Sequence, residues 1–165
     1  MGHKNAIDLG HPARRTERLF TVASANATLV LVRKIVADIV EVYARLMRLR
    51  DEQQELALSA DNHERLDRVR AEMQTRVDRL RQLHQEITDI GCEMKDLVGG
   101  LVDFPARYEG RRIWLCWRLG EAEVSHWHEV QAGFAGRQPI DDAFCRTLER
   151  EALARGEDGA DDPAE

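Results

Sequence analysis

The chain has 165 residues, 43% of them apolar and 33% charged, with aromatics at only 5%, a balance that fits long solvated helices better than a β-sandwich. Its 24 Lys and Arg against 30 Asp and Glu leave a net charge of −6. Residues 1–18 sum to +2, residues 19–90 and 91–140 to −1 each, and residues 141–165 to −6, so the body is nearly neutral and lacks the cationic field that nucleic acid requires. No run of about 18 uncharged apolar residues occurs, which excludes a membrane-spanning helix. The N-terminal stretch MGHKNAIDLGHPARRTERLF has no apolar core of a secretory signal, and three well-separated cysteines form no disulfide framework, so a reducing cytoplasm is expected.

In chain order, residues 1–18 are expected to be a disordered tail. A single domain is expected over 19–140, made of a helical hairpin (21–90) and a β-rich part (91–140). Thr21 is placed to cap a first helix. Leu29, Val32, Val36, Ile39, Tyr43, Leu46 and Leu49 then recur at steps of three and four, one continuous helical stripe. Ser59-Ala60-Asp61-Asn62 is the break, with Asp61 and Glu64 spaced as a capping box. A second stripe runs through Leu66, Val69, Met73, Val77, Leu80, His84, Ile87 and Ile90, and Gly91 stands where a left-handed C-cap belongs. Two helices cannot cover stripes this wide. The expected solution is a homodimeric four-helix bundle together with a fold-back of the chain's own second half onto the hairpin.

After Gly91 the period changes to two. Strands are expected at 92–95, at 101–104 with Pro105 ending it, at 112–119 after the Glu109-Gly110 turn, and at 124–130 after a turn at 120–123. An irregular segment carries Gly133, Gly136 and Pro139. Residues 141–155 read as a short helix, and 156–165 as an acidic disordered tail. The fold class is α+β, a long antiparallel helical hairpin with a small antiparallel sheet.

Several segments together resemble one family. They are Phe20-Thr21 with Ala25-Asn26-Ala27, Lys95-Asp96-Leu97, Gly100-Leu-Val-Asp-Phe-Pro105, Leu115-Cys-Trp-Arg-Leu-Gly-Glu121, Trp127-His-Glu129 and Gly133-Phe-Ala-Gly-Arg-Gln-Pro139. Over about residues 19–140 the chain resembles an uncharacterised bacterial family, number 2203 among the domains of unknown function. The resemblance implies a bacterial cytosolic protein and carries no activity.

His126 and His128 have the spacing of metal ligands, because residues two apart on a strand face the same side. Asp103 and Glu121 are the expected partners for a divalent transition metal, zinc or iron. Cys116 depends on the hairpin register. A tight loop of two or four residues pairs Leu119 with Val124 and sets both histidines on the face of Ile113, Leu115 and Trp117, with Cys116 on the other. A slip of one residue would bring Cys116 opposite His126. The even loop is the commoner solution, so Cys116 is disfavoured. Asp103, an acid in an apolar strand, needs a partner if buried, and Arg118 or Arg137 could supply a salt bridge. Arg137 and Trp117 are the candidates for contact with a small ligand, Arg137 by clamping a carboxylate or simply by pinning its loop. Sheet-to-helix packing is the competing role for Trp114, Trp117 and Trp127.

No nucleophile–base–orienter set can be read from the spacing. The leading expectation is a non-enzymatic binding module on a dimeric hairpin, with an unnamed small-molecule or protein partner. The alternative is a metal-binding protein or metal-dependent hydrolase built on the His-x-His strand.

Overall fold

The computed structural model describes residues 17–58 and 60–156. The expected tails lie almost wholly outside the described residues, as does Ser59. Helix α1 (Val22–Leu56) is 35 residues long because nothing between its caps breaks the pattern. Its N-terminus is closed by a reciprocal cap. The Ser24 N–H donates to Thr21 Oγ1 and the Thr21 N–H to Ser24 Oγ, a serine standing where a capping box usually has Glu. A 3-10 turn (Ala60–Asn62) leads into α2 (His63–Ile90). The expected Asp61–Glu64 box is absent: Asn62 holds the N-cap position without a side-chain bond, because the 3-10 turn already carries the backbone into the helix. Helix α2 ends at Gly91 with φ of +99°, as a left-handed cap requires. Ion pairs Asp38–Arg79, Arg45–Glu72 and Glu52–Arg65 step along the two helices in opposite order, the signature of an antiparallel hairpin.

Five antiparallel strands follow in simple meander order: β1 (Glu93–Asp96), β2 (Leu101–Tyr108), β3 (Arg111–Arg118), β4 (His126–Glu129) and β5 (Gln138–Pro139). The fold is therefore α+β. The inner face of the sheet covers the hairpin stripes: Val102, Phe104, Ile113, Leu115 and Trp117 pack with Leu29, Val32, Val36, Ile39 and Ile87 in one buried cluster. Over this half of the hairpin the chain's own second half supplies the missing cover. Towards the hairpin tip, Leu49, Leu56 and Val69 form a second, smaller cluster with Leu66 and Met73. Helix α3 (Asp142–Arg155) starts at an Asp141 cap on the Phe144 N–H. It buries Phe144, Leu148 and Ala152 at four-residue spacing, with Phe144 stacked on Tyr108 and Trp127. No helix among the described residues is long and apolar enough to cross a membrane.

Two expectations fail in the sheet. Pro105 does not end its strand: β2 continues to Tyr108. The Phe20 N–H donates to the Pro105 carbonyl, so the edge of β2 on which a Pro105 N–H would lie faces away from β3. On that edge β1 reaches no further than Asp103. Proline is tolerated where no ladder bond is asked of it. The fourth strand is also shorter than expected, four residues rather than seven, and its register is different.

Candidate metal centre

Two turns decide which side chains meet on the outer face of the sheet. The β2–β3 turn has just two residues, Glu109 and Gly110, with φ of +51° and +73°, the left-handed pair of a tight hairpin turn. It sets Asp103 opposite Cys116. The β3–β4 connection is longer, residues 119–125, and it pairs Cys116 with His126 and Trp114 with His128. This is the one-residue slip, and it overturns the even-loop register.

The physical reason lies outside the hairpin. The Val124 N–H is held by Asn26 Oδ1 on α1 at 2.8 Å and the Val124 side chain is buried in the core, so Val124 does not pair with Leu119. The Trp117 indole N–H donates to the Glu121 carbonyl and the Arg118 N–H to Glu121 Oε2, which fixes the rest of the loop. Ile113, Leu115 and Trp117 therefore face the helices. Cys116, His126 and His128 share the opposite face with Asp103.

On that face Asp103 (1% exposed), Cys116 (0%) and His128 (2%) are buried together. One ligand atom from each lies within 4.8 Å of the other two. His128 Nδ1 is 2.9 Å from the Glu129 carbonyl. A carbonyl only accepts, so Nδ1 carries a hydrogen and donates it. His128 Nε2 stands 3.1 Å from Asp103 Oδ2, a contact that holds one shared proton. Burial raises the Asp103 carboxyl above its ordinary range, partly offset by His128 and the Cys116 thiol. Burial, then the charge of Asp103, pushes the Cys116 thiol up to about 12. Among the described residues Asp103 Oδ1 has no hydrogen-bond partner, a costly state for a buried oxygen.

The other expected site residues fall elsewhere. Glu121 is not among the clustered ligands. Arg137 grips both its oxygens at 2.7 Å. Despite the opposing effect of burial, bonds from Arg137 and the Arg118 backbone keep Glu121 below its usual range. Arg137 thus clamps a carboxylate of its own chain, and it also donates to the Cys116 carbonyl; it is not a free ligand clamp. Asp103 pairs with His128 rather than with Arg118 or Arg137. Trp117 is fully buried in the inner core and offers no stacking surface. His126 is half-buried beside the cluster, its Nδ1 3.0 Å from Ser125 Oγ.

The arrangement is not a nucleophilic triad. Both His128 ring nitrogens are engaged, Nδ1 with the Glu129 carbonyl and Nε2 with Asp103, whereas thiol activation needs an imidazole nitrogen on the thiol. A thiol held near 12 is no nucleophile. The three side chains are, however, the thiol, imidazole and carboxylate types that bind transition metals. Among the described residues they form the one group of at least three potential ligands drawn together in this way. The Lys95 ammonium and the Arg112 guanidinium lie over the Trp114 ring beside them.

The family model described as "Uncharacterized conserved protein (DUF2203)" matches residues 18–140, and the chain belongs to that family. No curated protein and no solved structure matches.

Proposed function

We propose that this member of the DUF2203 family is a metal-binding protein whose centre is formed by Asp103, Cys116 and His128, with zinc the best match and iron second. The observation that carries the reading is the unpartnered Asp103 Oδ1 in a buried cluster of three different metal-ligating groups. Burial drives Asp103 and Cys116 towards their neutral forms. A divalent ion would reverse that, because its two charges balance one thiolate and one carboxylate and leave the buried site neutral. A lone thiolate with imidazole and carboxylate suits a borderline-soft ion. Bound there, the ion would supply a Lewis-acidic centre and cross-link β2, β3 and β4. His128 is already oriented for the role, since Nδ1–H to the Glu129 carbonyl leaves Nε2 as the ligand atom.

The test is elemental analysis of protein purified without chelator, with and without incubation in zinc or iron. About one ion per chain is expected, lost in Cys116→Ala and His128→Ala variants whose helical circular dichroism is unchanged. A clean zero for the unaltered chain after incubation refutes the reading. The expected setting, a bacterial cytoplasm, goes with it, since a thiol ligand has to stay reduced.

A second reading concerns association. Val30 and Leu31 on α1 remain 73% and 52% exposed beside a depression lined by Ala27, Thr28, Lys34 and Ile90. We propose that this face meets a second copy of the chain in a homodimer. Solution mass should then fall to that of one chain in Leu31→Glu; a compact monomer at every concentration of the unaltered protein refutes it.

A further inference from the structure

Zinc centres divide by ligand count: four protein ligands make a closed, structural site, and three leave a position for water or substrate. Which kind this chain builds turns on His126. The register sets His126 directly opposite Cys116 on β4, on the same outer face as His128. Directly opposed residues have Cβ atoms about 4.5–5.5 Å apart, so Cys116 is flanked by Asp103 on one neighbouring strand and by His126 on the other. The backbone of β4 is held on both sides, by β3 and by β5 through the His126–Pro139 pair. His126 thus shares the face and the neighbouring rung of the cluster without being one of its three ligands.

Two local contacts hold the imidazole away, the electrostatic attraction of Glu121 and one hydrogen bond. Its hydrogen bond to Ser125 Oγ joins adjacent residues, and a hydroxyl can be replaced there by water. The three clustered ligands are themselves sealed from solvent, and His126 beside them is only half-buried.

We infer that His126 turns onto the ion as the fourth ligand, giving a closed Asp103–Cys116–His126–His128 centre that is structural rather than hydrolytic. The inference rests on the metal reading above. It gives the His-x-His pair one shared ion, with Cys116 in the place expected for Glu121.

X-ray absorption of the zinc-loaded, full-length chain counts imidazoles without any substitution: two are expected, and one overturns the inference. Cobalt(II) titration with competing chelator gives the second measurement. The unaltered chain should take one cobalt ion with the visible bands of a tetrahedral site. His126→Ala and His126→Gln should still bind one ion, 10- to 100-fold more weakly and with shifted bands. Wild-type affinity and spectrum in both variants overturn the inference while the three-residue site stands. No uptake by the unaltered chain overturns both.

Discussion

Metal uptake should release two protons per ion. One comes from the Cys116 thiol, which burial pushes to about 12 and which is therefore protonated near neutrality. The other is the proton shared by His128 Nε2 and Asp103 Oδ2, which meet at 3.1 Å. His128 Nδ1 already donates to the Glu129 carbonyl, so Nε2 can bind an ion only by giving up that shared proton. Two protons lost mean that apparent affinity rises about a hundredfold per pH unit, or about 2.7 kcal/mol. The slope should vanish only above the thiol's range. Calorimetric titration of zinc into the apo protein at pH 7.5, in buffers of different ionisation enthalpy, reads the proton count directly. A count of one would show that the Asp103–His128 proton stays in place and that one of the two is no ligand. Binding with no proton release would refute the reasoning altogether.

Gly100→Ala should be costly and Gly110→Ala mild. Both glycines have positive φ, +68° and +73°, but a Cβ on Gly100 would meet Leu119 Cβ at 2.7 Å and Val36 Cγ1 at 2.9 Å, whereas one on Gly110 meets nothing within 4 Å. Left-handed strain alone costs about 1–2 kcal/mol, and crowding adds about 1–3 kcal/mol, so urea unfolding should put Gly100→Ala at about 2–5 kcal/mol; equal costs at both sites would refute the argument. Glu121→Gln should destabilise by about 1–3 kcal/mol at pH 7 through loss of the charged fork to Arg137. Because Arg137 and the Arg118 backbone hold Glu121 below its usual range, its contribution is present above its unfolded pKa and is lost as pH falls through the folded one. The difference from the unaltered chain should therefore shrink towards pH 3, and a pH-independent difference would show that the ion pair is not its source.

The helical half was legible because its determinants are local. The stripes from Leu29 to Leu49 and from Leu66 to Ile90 follow the period of the helix, and Thr21 and Gly91 mark ends whose chemistry sits within one turn. The missing Asp61–Glu64 box is a local failure; those in the sheet involve longer-range facts. Pro105 looked like a strand end because its missing N–H is visible in the sequence, while the shortness of β1, which makes that absence harmless, is not. The stripes ask for more cover than two helices give, and a second chain and the chain's own sheet are both expected to supply it. The buried packing of Trp117, Leu115 and Phe104 on α1 shows the second at work.

The site divides in the same way. That His126 and His128 share a face follows from strand alternation alone, and it holds. That Asp103 needs a partner follows from its apolar neighbours, but the partner is a histidine two strands away. The rule for tight turns disfavours Cys116, and such a rule applies only where the turn satisfies its own backbone. Here the Val124 N–H is satisfied by Asn26, 98 residues earlier on α1, and that bond helps fix an odd connection that turns the histidines towards Cys116. The composition of the cluster is thus set by a contact between the helical half and the sheet. Had Leu119 paired with Val124, His126 and His128 would face the helices with Leu115 and Trp117 and leave Asp103 and Cys116 without them, so the packing of Val124 decides which side chains meet in the proposed metal centre.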